Sequence, residues 1–273
     1  MLSTIETNKL YLGNCIDVMS TFPNECIDLT VTSPPYDNMR TYNNTCEWNF
    51  DVFKKIAKEL FRITKLGGVV VWIVSDSTND GTESGTSFKQ ALYFKEIGFN
   101  LHDTMIWAKD GGGAIGSNLC YTQNFEYMFV FSKGKPQHVN IIKDKKNLSF
   151  DDKKTTGRRK VVGRRKSNGE IKIEDRAACS EYSRRNNWWL VMPQRQEGSD
   201  WHPAVFPESI ALDHIRTWSN EGDIVLDPFL GSGTTAKMAV KAKRKYIGIE
   251  KCEEYFKLAK KRIWNEERQL TLF

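Results

Sequence analysis

No apolar run in the 273 residues approaches the roughly 20 needed to cross a bilayer, which argues against a membrane-spanning helix. The first residues, Met1-Leu2-Ser3-Thr4-Ile5-Glu6, show none of the basic, apolar and cleavage regions of a signal peptide, so a cytoplasmic protein is expected. Six cysteines stand far apart, at 15, 26, 46, 120, 179 and 252, with no Cys-x-x-Cys pair. That spacing supports neither a zinc knuckle nor a disulfide framework, and no metal is expected. No Gly-x-x-x-x-Gly-Lys-Ser/Thr pattern occurs, so a nucleoside triphosphate cradle is unsupported. Internal repeats are absent as well.

What is there describes a globular protein, with 40% hydrophobic and 12% aromatic residues. The length suits one elaborated domain or a domain carrying an insertion. Charge is unevenly placed. Between Lys143 and Arg176, 13 Lys plus Arg stand against 6 Asp plus Glu, a net of +7, so the rest of the chain carries −1 of the total of +6. A positive field gathered in one segment suits a polyphosphate partner, because each neutralised phosphate releases condensed counterions. A solvated surface loop is the plainer reading of such a run.

Periodicity gives a strand over Ile27 to Thr32, ended by Ser33-Pro34-Pro35, where no ladder can continue. Phe53, Ile56, Ala57, Leu60 and Phe61 share one helical face, and Gly67-Gly68 separates that helix from a strand at Val69 to Val74. A helix near 88–97, strands near 104–107 and 126–131, and a Gly111-Gly112-Gly113 connection follow. From 134 to about 185 the pattern dissolves into charge, and this stretch reads as an insertion. Order returns at Trp188-Trp189-Leu190-Val191, a re-entry into core, and then with a helix at 207–218, a strand at 223–226, a helix from Thr234, a strand at 246–249 and a helix at 252–264. Strands alternating with helices imply a mostly parallel sheet covered on both faces.

Two segments carry chemistry. Asp227-Pro228-Phe229-Leu230-Gly231-Ser232-Gly233-Thr234-Thr235 lies where a strand passes into a helix, the address at which α/β sheets receive ligands. Glu250 ends the next strand, where a carboxylate can accept both ribose hydroxyls of an adenosine-containing ligand or charge the N-terminus of the following helix. In Thr32-Ser33-Pro34-Pro35-Tyr36, Pro35 contributes no N–H, leaving the Pro34 carbonyl free to point outward beside the Ser33 hydroxyl. Two acceptors converging on an amino group draw its lone pair out of conjugation and make the nitrogen nucleophilic. Tyr36 offers a face on which a base can stack. A proline-stiffened turn is the bland alternative.

TSPPY together with DPFLGSGTT resembles the DNA methyltransferases that act on exocyclic amino groups, whose signature is Asp, Asn or Ser, then Pro-Pro, then an aromatic. Because the tetrapeptide precedes the glycine loop, the chain resembles the permuted beta class. Gly13-Asn14 with Asp17, the segment Asn124 to Lys133, and His202-Pro203 to Pro207 extend the likeness over nearly the whole chain outside the insertion. The resemblance implies a Rossmann-like seven-stranded, mostly parallel sheet with one antiparallel strand. It divides the chain into a catalytic half (1–133), a basic target-recognition insertion (134–187) and a cofactor half (188–273).

It also implies S-adenosylmethionine as cofactor and double-stranded DNA as partner. Ser33, Pro34, Pro35 and Tyr36 would be catalytic, and Asp227, Phe229, Gly231, Ser232, Gly233 and Thr234 would line the cofactor pocket, with Glu250 on the ribose and Asp17 toward the adenine. Asp17 also reads as a helix cap. Arg158, Arg159, Lys160, Arg164, Arg165, Lys166, Arg184 and Arg185 would meet DNA, with Asn186 and Asn187 suited to bases. A serine at the first tetrapeptide position favours cytosine-N4 over adenine-N6, and no cysteine follows a proline as carbon-5 cytosine chemistry would need. A restriction-modification setting, with a cognate endonuclease as partner and a monomer or homodimer as the assembly, completes what the resemblance implies. Two other readings stay open: a glutamine or RNA methyltransferase, in which the cofactor loop usually comes first, and a nonenzymatic DNA-binding module.

Overall fold

The central strands carry near-continuous apolar runs, such as Val69–Val74, so both faces are buried and the sheet must be covered on both sides. The computed structural model describes residues 5–35, 48–110, 120–147, 159–165, 167–176, 180–192 and 206–270, with the backbone alone for Asn79, 159–165, 172–176 and Leu270. The first half contains β1 (Lys9–Leu12), α1 (Cys15–Ser20), β2 (Ile27–Thr32), α2 (Phe50–Ile63) and β3 (Thr64–Val74). A small hairpin of β4 (Thr78–Asn79) and β5 (Thr82–Glu83) leads to α3 (Thr86–Glu96), β6 (Asn100–Ala108) and β7 (Phe125–Ser132). Then come β8 (Lys145–Lys146), β9 (Arg159–Arg165), β10 (Ile171–Arg176), β11 (Tyr182–Ser183) and β12 (Trp188–Leu190). The chain closes with α4 (Glu208–Trp218), β13 (Ile224–Asp227), α5 (Thr234–Lys241), β14 (Lys245–Glu250) and α6 (Glu253–Leu270).

The main sheet runs in the order β1-β14-β13-β2-β3-β7-β6-β12. Every neighbouring pair is parallel except those made by β7, which runs against both β3 and β6. One antiparallel strand was expected, but the sheet has eight strands rather than seven. The eighth is Trp188–Leu190, paired to β6, with Trp189 buried and Trp188 half-exposed at 52%. Trp107 Nε1 donates to the Val191 carbonyl at 2.8 Å and helps hold this short edge in place.

Leu29, Val31, Val69, Val71, Ile73, Met128 and Val130 face one core, shared with α4, α5 and α6. Ile27, Val70, Trp72, Val74, Phe129 and Phe131 face the other, shared with α1, α2 and α3. Helices from the two halves of the chain thus cover opposite faces. The α2 face is Phe53, Ile56, Ala57, Leu60 and Ile63, with Phe61 only half-buried, and Asn49 caps the helix through Val52 N.

The glycine pair does not separate α2 from β3 as the sequence suggested. β3 begins at Thr64 and passes through Gly67-Gly68, where its register against β2 shifts. Gly67 has φ +85°, and its amide donates to the Lys133 carbonyl at 2.7 Å. An added Cβ at Gly68 would lie 2.7 Å from Thr64 Cγ2 and 3.0 Å from the carbonyl oxygens of Asp28 and Lys65. Glycine here makes a bulge within the strand.

A second compact unit spans Ile141–Asn186, and the remainder of the chain forms the first. Residues after 134 stay with the main body at first: Gln137 N bonds to the Gly67 carbonyl and Asn140 N to the Thr217 carbonyl. Within the second unit β9 and β10 form an antiparallel ribbon, and β8 pairs with β11. Charge hid this ribbon from the reading of periodicity. The Gly111-Gly112-Gly113 connection and His202-Pro203 lie outside the described residues.

Gly68→Ala is expected to cost about 1–3 kcal/mol, since backbone oxygens on two sides leave the methyl no room. Urea unfolding measures this, and an unchanged midpoint would contradict the tight bulge.

Candidate active site

β2 and β13 are parallel neighbours, in register at Val225↔Leu29 and Leu226↔Thr30. They end together, so the residues that follow them meet at one edge of the sheet, as the topology of open α/β sheets requires. The junction is hydrogen-bonded. Thr32 Oγ1, the last side chain of β2, donates to Asp227 Oδ1 at 2.7 Å. From the first turn of α5, Thr235 Oγ1 donates to the Val31 carbonyl at 3.0 Å. Ser33 and Pro35 are half-buried and Pro34 is buried beyond this junction, while Tyr36 lies outside the described residues.

The glycine loop is held from several sides. Leu230 N bonds to the Ile249 carbonyl and Gly233 N to the Leu230 carbonyl, both at 2.9 Å. Glu250 accepts Gly231 N at 2.7 Å on Oε2 and Cys252 N at 2.8 Å on Oε1. Gly231 and Gly233 have φ of +53° and +87°, the left-handed region that favours glycine. A Cβ on Gly233 would stand 2.9 Å from the Ala259 Cβ of α6. One on Gly248, in β14, would collide with Leu230 at 2.7 Å, so that glycine makes room for the loop's leucine.

Gly233 occupies the N-cap position of α5 and no side chain caps the helix. The buried Thr234 Oγ1 has no hydrogen-bond partner among the described residues. Phe229 N donates to Asp227 Oδ1 at 3.0 Å, and its ring meets Trp48 edge-on at 5.6 Å and Trp72 at 6.2 Å. Ser232 points elsewhere: its hydroxyl and carbonyl oxygens both accept from Arg262 Nη1, each at 2.8 Å.

β1 pairs with β14 through Leu12↔Glu250, and Gly13 N donates to the Glu250 carbonyl at 2.8 Å, so the start of α1 borders the same edge. Asn14 caps α1 through Ile16 N at 2.9 Å. Asp17 is therefore not the cap. It sits exposed in the first helical turn.

Burial controls the charges. Asp227 is 2% exposed, and desolvation pushes its carboxyl up to about 6 despite the hydrogen bonds from Thr32 and Phe229 that favour the anion. Glu250 is raised as well, chiefly by burial. A raised carboxyl pKa means that the folded chain binds more protons than the unfolded chain between the two pKa values, so ionised Asp227 opposes folding, fully so above pH 6. A cation placed beside it would remove that cost. In ligand-free protein, Asp227→Asn should gain stability relative to the parent as pH rises from about 4 to 6, then hold that gain above 6. Urea unfolding across this range checks it, and a difference independent of pH would contradict the buried anion.

The basic residues belong to the second unit. Arg159 and Lys160 open β9 while Arg164 and Arg165 close it, opposite Arg176, Asp175, Lys172 and Ile171 of β10. Arg158 and Lys166 lie outside the described residues. Arg184 is exposed, whereas Arg185 is half-buried and forks onto Asp144, whose carboxyl it lowers. Asn187 serves the edge strand instead of a base: its carbonyl accepts Ile106 N and its Nδ2 donates to the Thr104 carbonyl. Sequence reasoning passed over Thr32 and Arg262. The first closes a strand next to Ser33, and the second stands in a helix with no motif of its own.

The DNA methylase family matches residues 27–261. The orphan methyltransferase M.BamHII of Bacillus amyloliquefaciens is 51% identical over 88% of this chain and 89% of its own length. The DNA adenine methyltransferase YhdJ of Escherichia coli K12 is 26% identical over 94% of this chain and 83% of its own. The solved structure of the PvuII DNA methyltransferase, described as cytosine-N4-specific, superposes with a TM-score of 0.68 at 20% identity, covering 98% of this chain and 93% of that one. At that identity the superposition speaks for the fold alone. With the family match spanning most of its length, the chain belongs to the DNA methylase family, which acts at N6 or N4 of a base.

Proposed function

We propose that this DNA methylase moves the methyl group of S-adenosylmethionine to the N4 amino group of cytosine in duplex DNA. The observation that carries the reading is the Thr32–Asp227 hydrogen bond, which ties the strand end bearing Ser33-Pro34 to the strand end bearing the glycine loop. When bound, S-adenosylmethionine supplies a sulfonium methyl group, an electrophile open to in-line attack.

The residues present fit that cofactor. Buried Asp227 favours a cationic neighbour, such as an amino acid ammonium. Glu250 accepts backbone amides of Gly231, Cys252 and Lys251, and a carboxylate with about four lone-pair sites keeps room for a ribose hydroxyl. The orphaned Thr234 Oγ1 and the uncapped start of α5 offer further polar contacts, with Phe229 beside them. Gly231 and Gly233 let the loop turn close to the ligand, while Ser232 acts through the loop's shape because its hydroxyl faces Arg262. Asp17, exposed at the same edge, is assigned to the adenine.

At the amine, Ser33 Oγ and the Pro34 carbonyl accept the two N–H bonds and leave the nitrogen lone pair directed at the methyl carbon. Pro35, lacking an N–H, keeps that carbonyl unclaimed by its own turn, and Tyr36 stacks on the extruded base. The C–S bond breaks as the C–N bond forms, and one amine proton departs to solvent. Serine rather than aspartate at position 33 supports cytosine-N4. Arg159, Lys160, Arg164 and Arg165 of the ribbon, together with Arg158, Lys166 and Arg184, neutralise phosphates or read base edges, with Arg185 held to Asp144 until DNA competes for it. An endonuclease partner is not required by the kinship, since the 51% identical relative is named as an orphan.

Digesting enzyme-treated DNA to nucleosides and weighing the product is expected to yield N4-methylcytosine. N6-methyladenine would keep the family and overturn the base. Ser33→Ala should lower kcat about 100-fold or more with little change in cofactor affinity, as loss of a transition-state contact does. Equal losses in both would show that the loop is misassigned.

A further inference from the structure

Arg262 reaches the glycine loop from α6, outside every motif of the chain, and it is 2% exposed. Its Nη1 donates to both the carbonyl and the hydroxyl of Ser232 at 2.8 Å, while Nη2 donates to Glu208 Oε1 at 2.7 Å. Glu208, the first residue of α4, also accepts Lys237 Nζ of α5 at 2.9 Å, and Lys237 lies 3.8 Å from Glu266 of α6. Two cations and two anions thus alternate across three helices. One helical turn before Arg262, Ala259 presses on Gly233, with no room for a Cβ there. A single face of α6 therefore grips two consecutive residues of the loop.

A buried ion pair is a weak source of stability compared with well-packed apolar side chains, so stability alone does not account for this arrangement. The geometry has a different consequence. Turning the Ser232 carbonyl and hydroxyl toward α6 fixes the peptide plane that precedes Gly233, and with it the path of the backbone into the uncapped start of α5. We propose that Arg262, held by Glu208, is a positioning residue that sets the glycine loop in its cofactor-binding shape. This rests on the cofactor assignment above, and it adds that donor affinity is governed by a residue that does not touch the donor.

The fork matters as much as the charge. A lysine cannot span Ser232 and Glu208 together with a planar pair of donors. Arg262→Met and Arg262→Lys are compared with the parent by calorimetric binding of S-adenosylmethionine, by steady-state kinetics on DNA and by urea unfolding, at a temperature where the parent is fully folded. Both variants should raise Kd and KM for S-adenosylmethionine by about tenfold or more, with kcat at saturating cofactor held within about threefold. Ser232→Ala should weaken binding less, and should add little once Arg262 is replaced, because its partner is gone. A folded variant whose affinity stays within about twofold of the parent, or whose kcat falls while Kd holds, overturns the proposal. If Arg262→Met does not fold, Arg262→Lys decides alone. Parent protein that binds no S-adenosylmethionine defeats the cofactor assignment instead, so the two failures are distinct.

Discussion

The hydrogen bond from Thr32 to Asp227 is the constraint on which the site depends. Adjacent parallel strands bring two loops to one edge, but pairing alone leaves the loops free to diverge once the ladders stop. A side chain on the last residue of β2 meeting a side chain on the last residue of β13 removes that freedom at the point of departure. Residues 195 positions apart in sequence then meet in direct contact. Thr235 repeats the tie one layer deeper, onto the backbone of Val31.

Asp227 also has an electrostatic role that follows from its burial. A carboxylate withdrawn from water is costly to ionise, and the hydrogen bonds from Thr32, Phe229 and Thr235 recover only part of the cost. Buried carboxyls raised in this way are common at functional sites, and a cation beside Asp227 would offset the cost. Glu250 is less extreme, because the backbone amides of Gly231 and Cys252 each satisfy one of its oxygens. Through those same bonds it shapes the glycine loop and the entry to α6, the helix-terminal role weighed for it in the sequence.

The fold was largely legible because the central elements are strongly periodic. Spacing gives β2 to its ends, and α3, β13, β14 and the start of α5 to within a residue or two, since apolar periodicity and turn residues agree there. Legibility failed where local signals mislead. Gly67-Gly68 looks like a break and is a bulge inside β3, because carbonyl oxygens of Asp28 and Lys65 crowd the position. The charged ribbon of β9 and β10 has no apolar period to read. Three residues at Trp188–Leu190 make an eighth strand because β6 offers a free edge, a fact of tertiary structure. At the site, Glu250 and the glycines announced themselves by spacing. For Ser232 the spacing gives only its place in the loop, and the approach of α6 shows that its hydroxyl accepts from Arg262.

The central claim is that the Thr32–Asp227 contact holds the reacting groups in line. A double-mutant cycle of Thr32→Val and Asp227→Asn, read as kcat for methyl transfer at saturating cofactor, tests it most directly. The account predicts that each change lowers kcat and that the double variant is little worse than the poorer single one, a coupling of at least about 1 kcal/mol. Losses that simply add, with coupling below about 0.3 kcal/mol, would show that the two loops do not depend on each other through this bond.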